Sequence, residues 1–271
     1  MKIFKSKHKL KKEISNIKNI SFVPTMGGLH KGHISLIKKS QSFRAKTLVS
    51  IFVNPKQFNE KKDFLNYPRN LKKDLKILKY LNTDLVYIPH LKDIFSFKVK
   101  NRIFLDKFSK KLCGRSREGH FKGVLNIVNR FLELIKPRYI FLGIKDFQQS
   151  YLINKHILKT KIKTKVINCK TIREKNGVAC STRNNNLNLH QYKIASNVIK
   201  YLKNKKRMIK KNLYNFRLAD IKKDLMKLGV SKIEYIEVYN LKTLKKPQHT
   251  REKFRIFIAF YLNKTRLIDN I

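Results

Sequence analysis

Acidic residues are scarce in this chain: 17 Asp and Glu stand against 64 Lys and Arg, for a formal net charge of +47 over 271 residues. Cysteines are also few. Cys113, Cys169 and Cys180 form an odd set without metal-ligand spacing, which argues against a disulfide framework and fits a reducing cytoplasm. No apolar run reaches the roughly 18–20 residues needed to span a bilayer. The basic start, MKIFKSKHKLKKEISN, has no apolar stretch behind it and does not read as a secretory signal. There is no internal repeat and no low-complexity linker.

The excess of lysine has two readings. Basic surfaces bind polyanions because they release counterions from phosphate backbones. A compositional drift toward Lys, Asn and Ile would give the same count. The lysines run along the whole chain rather than gathering in a stripe with interleaved aromatics, so the charge by itself names no nucleic-acid partner. Hydrophobic residues make up 42%, slightly under the roughly 45–50% of ordinary globular chains, which still supports a sizeable core.

Short apolar runs alternate with helical patterns over the first two-thirds. Residues 20–23, 47–53, 85–88, 139–142 and 166–169 read as buried strands. Residues 33–42, 71–81, 124–135 and 147–158 read as helices. Strands without polar alternation, separated by helices, predict an α/β doubly wound parallel sheet. Ligands in such sheets sit outside the carboxyl ends of the strands. Beyond about residue 176 the pattern changes to helices at 189–211 and 218–228 and strands at 232–239 and 255–261. The expected organisation is a Rossmann-like catalytic domain over residues 1–175 and a smaller α+β C-terminal domain over 176–271, closing over the site.

Five segments carry candidate chemistry. The first is Pro24-Thr25-Met26-Gly27-Gly28-Leu29-His30-Lys31-Gly32-His33, between a strand and a helix. Its glycines allow close backbone approach, and unpaired N–H groups at a helix start suit phosphate. His30 and His33, three apart, can face one side and stabilise charge on a phosphorus. The second is Phe52-Val53-Asn54-Pro55-Lys56-Gln57-Phe58, in which Gln57 can donate and accept hydrogen bonds; Tyr67-Pro68-Arg69 follows. The third, Gly119-His120-Phe121-Lys122-Gly123-Val124, opens a helix, either as a simple cap or as a close approach to something. The fourth is Gly143-Ile144-Lys145-Asp146-Phe147-Gln148-Gln149, and the fifth runs from Ile172-Arg173 through Gly177 to Cys180-Ser181-Thr182-Arg183-Asn184.

The first segment resembles the His-x-Gly-His signature of the nucleotidylyltransferase superfamily. All five in this order are similar to the pantothenate synthetase (pantoate–β-alanine ligase) family, and the closing Arg266-Leu267-Ile268-Asp269-Asn270 resembles its end. Ile144 stands where that family commonly has Glu, Cys180 where it often has Leu, and Thr182 where it often has Ser. The resemblance implies ATP-dependent joining of pantoate and β-alanine through an acyl-adenylate, with AMP and pyrophosphate released. It implies His33, His30, Lys145 and Arg183 as catalytic groups. ATP would be bound by Met26, Gly27, Gly28, Leu29, His30, Lys31, Gly32, His33, Gly143, Ile144, Lys145, Asp146, Ile172, Cys180, Ser181, Thr182 and Arg183. Gln57 and Gln149 would orient pantoate and β-alanine. Mg²⁺ would travel with ATP rather than in a protein cage, and the enzyme would be a cytoplasmic homodimer. The rival within the superfamily is an adenylyltransferase acting on a nucleotide or phosphopantetheine; the paired glutamines and the Ser-Thr-Arg loop argue against it.

Overall fold

The structure is a computed structural model and describes residues 1–58, 64, 65, 67–213 and 216–271. It divides into two compact units, Met1–Thr171 and Ile172–Ile271.

The first unit is built on a parallel sheet of β1 (Lys2–Phe4), β2 (Ile20–Thr25), β3 (Lys46–Ile51), β4 (Leu85–Tyr87), β5 (Tyr139–Gly143) and β6 (Lys165–Cys169), in the order β1-β4-β3-β2-β5-β6. Helices α1 (Lys7–Ile14), α2 (Lys31–Gln41), α3 (Leu71–Tyr80), α4 (Leu91–Phe95), α5 (Cys113–Ser116), α6 (His120–Ile135) and α7 (Phe147–Lys159) connect the strands. The expected doubly wound α/β sheet is present. Strand residues alternate between its two faces. Phe22, Leu48, Tyr87 and Ile140 join one apolar cluster with Leu125, Phe131 and Leu132 of α6. Val23, Val49, Val86 and Phe141 join the other with Leu36 and Ile37 of α2 and Leu78 of α3. Both faces are buried, which is why the strands read as unbroken apolar runs. Strand order reverses between β2 and β5, so the loops leaving Thr25 and Gly143 flank the topological switch point, the ordinary ligand crevice of such sheets.

The second unit pairs β7 (Lys232–Asn240), β8 (Phe254–Leu262) and β9 (Thr265–Asn270) in an antiparallel sheet. Helices α8 (Leu189–Lys211) and α9 (Leu218–Lys227) cover it through Val198, Leu202, Ile221 and Leu225. Five helices and strands lay outside the sequence reading, among them α4 and α5, whose five and four residues are too few to show a period. β1 is an edge strand of three residues beginning at Lys2. α1 buries only Leu10 and Ile14 among its lysines, too few to give a clear period. β9 carries Arg266, Asp269 and Asn270, which hide its apolar alternation.

A buried histidine braces the first unit. His156 is fully buried, and its Nδ1 accepts from the Phe104 amide at 3.2 Å while Nε2–H donates to Asn129 Oδ1 at 3.1 Å. Asn129 passes the chain on to Asn101 O at 3.0 Å. These partners fix a neutral ring, and burial lowers its pKa. The unfolded chain takes up a proton near the usual value of 6.5 that the native ring resists. The His156 contribution is therefore full above pH 6.5 and is lost as pH falls below it, at up to about 1.4 kcal/mol per pH unit. Urea unfolding between pH 7.5 and 5 should show this decline, and His156→Gln should flatten it; an identical pH slope in both proteins refutes the assignment.

Candidate active site

The first loop begins where β2 ends. Thr25 Oγ1 donates to Ser50 O at 2.7 Å and accepts from the Gly27 amide at 3.2 Å, locking the loop to β3. Gly27 and Gly28 then take left-handed φ values of 79° and 62°, a conformation side chains disfavour. The amides of Gly28 and Leu29 both point at one carboxylate, Asp74 of α3, at 2.9 and 2.8 Å. Asp74 is 2% exposed. A Cβ at Gly27 would lie 2.9 Å from Asp74 Oδ2 and 3.2 Å from Ile51 Cγ2. The first glycine thus makes room for Asp74 in addition to its backbone angle.

His30 caps α2. Its Nδ1 accepts from the Gly32 amide at 3.0 Å and from the His33 amide, and His33 Nδ1 in turn accepts from the His30 amide at 3.4 Å. The two rings lie 4.1 Å apart, tilted by 34°. This corrects one expectation. The amides of Gly27, Gly28, Leu29, His30, Gly32 and His33 are bonded inside the protein and are not left over for phosphate. What the turn offers instead is imidazole. Each Nδ1 accepts, so each neutral ring carries its proton on Nε2. Desolvation lowers the His33 pKa to about 3, and Lys145, together with any proton that His30 takes up, adds to the effect. Some of the His33 surface remains open to solvent, so the direction governs its chemistry: the ring is neutral around pH 7.

The Gln57 turn is carried by α6. Asn54 Oδ1 caps the 3-10 turn Pro55–Gln57 by accepting from the Lys56 amide at 3.2 Å, and its Nδ2 donates to Gly123 O at 3.1 Å. A Cβ at Gly123 would fall 2.2 Å from Lys56 O, so the third segment's second glycine exists to let this turn dock on the helix. His120 Nδ1–H donates to Gln57 O at 2.7 Å, and Arg117 reaches the same oxygen at 3.3 Å and His120 Nε2 at 3.2 Å. Gly119, at φ 73°, supplies the left-handed cap. Both readings of this segment are present: Gly119 caps the helix, and Gly123 allows a close approach, to protein. The Gln57 amide is directed at Met26 Sδ, which brings the second loop onto the first.

The fourth segment forms a 3-10 turn, Ile144–Asp146, at the end of β5. Lys145 is near enough to act on His33, and lies 3.8 Å from Asp146, whose side chain is 47% exposed. Ile144 is half-buried. A Cβ at Gly143 would meet no atom within 4 Å, leaving open space above it. The two glutamines differ in kind. Gln148 is buried, donates to Phe108 O and Lys111 O at 2.7 and 2.6 Å and accepts from the Cys113 amide at 3.2 Å. Gln149 is half-buried and has no hydrogen bond among the described residues.

In the second unit, Ile172 and Cys180 close a turn through Cys180 N–H to Ile172 O at 2.9 Å. Cys180 is buried, with its thiol 3.1 Å from Glu174 Oε1, which suits a packing residue better than a nucleophile. Ser181 Oγ accepts from the Arg183 amide at 3.3 Å and keeps its own hydroxyl proton to donate. Thr182 is buried and Arg183 half-exposed. The first unit thus gathers Met26, His30, His33, Gln57 and Lys145, and the second gathers Ser181, Thr182 and Arg183 in one turn.

This chain matches the family model described as pantoate-beta-alanine ligase over residues 2–271. It belongs to the pantoate–β-alanine ligase family. A pantothenate synthetase from Endomicrobium trichonymphae is 39% identical over 275 residues, covering 100% of this chain and 97% of the relative. One from Flavobacterium psychrophilum is 38% identical over 266 residues, covering 97% and 94%. The pantoate-beta-alanine ligase of Francisella tularensis, crystallised with beta-gamma ATP and beta-alanine, superposes with a TM-score of 0.83 at 37% identity, covering 100% of this chain and 97% of that one. The family is one of ligases, as the five segments implied.

Asp74 escaped the sequence reading because a lone Asp among helix lysines looks like a solvated charge. Asp74→Asn turns one oxygen into a donor facing an amide donor, at about 1–3 kcal/mol. The expected result is a roughly 10–100-fold loss of kcat/KM for ATP. Steady-state kinetics on a variant with wild-type circular dichroism would check it, and an unchanged kcat/KM would show the clasp to be irrelevant to the site.

Proposed function

We propose that this ligase condenses (R)-pantoate with β-alanine at the expense of ATP, in two steps, as part of pantothenate and coenzyme A biosynthesis. A carboxylate oxygen of pantoate attacks the α-phosphorus of ATP; the bond to the β-phosphate oxygen breaks and pyrophosphate leaves. The amine of β-alanine then attacks the acyl carbon of the pantoyl-adenylate; the acyl C–O bond breaks, AMP leaves, and the amine gives up a proton.

The observation that carries this reading is the pair of neutral imidazoles held by the start of α2, with Lys145 beside them. Nε2–H of His33 and of His30 are donors fixed in place before substrate arrives, suited to the oxygens of a five-coordinate phosphorus. Their Nδ1 atoms take hydrogen bonds from the helix amides, so the positive end of the helix is transmitted through the rings. A neutral donor can stabilise charge as it develops without binding ground-state ATP as strongly as a cation would. Lys145 and Arg183 neutralise the departing pyrophosphate, and Ser181 and Thr182 add hydroxyl donors. The open space over Gly143 accommodates close approach of the nucleotide to the Gly143 and Ile144 backbone. Because backbone would serve there, Ile144 in place of Glu is compatible with this role. Gln57 and Gln149 orient pantoate; Gln149 has its whole amide available for that.

Magnesium would come with the triphosphate. Among the described residues no group of three or more His, Cys, Asp or Glu converges, and exposed Asp146 could accept from a metal-bound water. The metal's chemistry is to screen the phosphate charges. No described helix is long and apolar enough to cross a membrane. The cytoplasm is the compartment we assign. A homodimer is the assembly we assign.

AMP release from ATP, Mg²⁺ and pantoate should depend on β-alanine and match pantothenate one to one. His33→Ala should lower kcat by roughly 100–1,000-fold. Near-normal turnover in that variant sinks the role given to His33. A folded wild-type protein that makes no AMP, yet binds RNA in a salt-dependent way, would shift the reading to nucleic acid.

A further inference from the structure

The closing segment of the chain matches its family but carries no group with an assigned part in the reaction. Its Asp269, on β9, forms a two-point ion pair with Arg173, 96 residues away: Nη1 to Oδ2 at 2.6 Å and Nη2 to Oδ1 at 3.0 Å. The Asp269 side chain is 3% exposed and that of Arg173 21%. The same guanidinium donates to Gly177 O at 3.0 Å and Asn270 O at 3.3 Å. Asp269 Oδ1 also accepts from the Asn270 amide at 2.7 Å, so the carboxylate is itself held from behind.

Arg173 sits in the neck of the turn that leads to residues 181–183. It pairs with Ala179 as an antiparallel bridge. The Glu174 amide bonds Val178 O at 2.8 Å, and the Gly177 amide bonds Glu174 O at 2.8 Å. On the far side, Asn184 Nδ2 returns to Ala179 O at 3.0 Å. Ser181, Thr182 and Arg183 are thus suspended between two ties to one small hairpin, and Arg173 fastens that hairpin to β9. The Arg183 guanidinium has no hydrogen-bond or ion-pair partner among the described residues. Its direction is set by the backbone beneath it, and that backbone is set by the clasp.

We propose that Asp269 is a positioning residue for the triphosphate-binding turn, acting through Arg173. A planar, two-point Arg–carboxylate contact fixes orientation as well as distance. This inference rests on the assignment of residues 181–183 to ATP.

The test uses the full-length enzyme and measures KM for ATP and for pantoate, kcat, and thermal unfolding. Asp269→Asn should lower kcat/KM for ATP by about tenfold, through KM for ATP, kcat or both, while KM for pantoate stays within about twofold. Arg173→Lys, which keeps the charge but loses the fork, should do the same, and the swapped pair Arg173→Asp with Asp269→Arg should recover part of the loss. Arg183→Ala separates the two ideas. If it leaves kcat/KM for ATP unchanged, the underlying assignment is wrong. If it lowers kcat/KM for ATP while natively folded Asp269→Asn does not, the positioning role is wrong. An equal rise in KM for both substrates in the clasp variants also overturns it, because that marks a purely structural contact. Should Asp269→Asn fail to fold, the same criteria are applied to Arg173→Lys.

Discussion

The candidate site depends on where the backbone amides between Gly27 and His33 go. A helix start has donors without intrahelical partners, and in many folds a phosphate takes them. Here Asp74 takes two and the imidazoles take three. The loop is then ordered without ligand, and it presents ring N–H groups in place of amides. A preset donor needs no reorganisation when charge develops, which is the main source of electrostatic catalysis.

The same logic of pre-ordering recurs at Gln57. The turn that bears it touches α6 because Gly123 has no side chain, and its carbonyl is held by His120 and Arg117. The partners of His120 dictate its protonation: a carbonyl can only accept, and a guanidinium can only donate. Its Nδ1 therefore carries the proton, the reverse of the arrangement in His30 and His33. Counting His156, four histidines in one unit thus have tautomers set by their neighbours, two to hold out Nε2–H, one to hold a backbone in place and one to brace the interior.

The parallel sheet was legible because both its faces are buried, leaving strand residues such as Phe22 and Val23 apolar in succession. The histidine pair was legible because its spacing fell at a strand-to-helix junction. Several positions were not. Asp74 is fourth in a helix beside two lysines, and only its burial shows what it does. Gly123 suggested close approach to something the sequence does not name, and the atom it clears is Lys56 O. Asp269 lies far from Arg173 in sequence, and a pairing across 96 residues has no local periodicity to betray it. Local patterns reveal elements and loops; the contacts that aim a loop are long-range.

The large positive charge can now be weighed against the site. Screening at physiological salt confines a surface charge to about 8 Å, so lysines spread over the chain act weakly at any one position. What makes His33 neutral is ranked otherwise: desolvation first, then His30, then Lys145. Two of these three causes come from segments with a place in the proposed chemistry, and the first from packing around the loop. Removing lysines elsewhere would leave that order intact. The proposed chemistry therefore requires the loop and Lys145, and it is indifferent to most of the +47. The net charge belongs to how the surface attracts anions in general, while the choice of phosphorus is made within a few ångströms of two imidazoles.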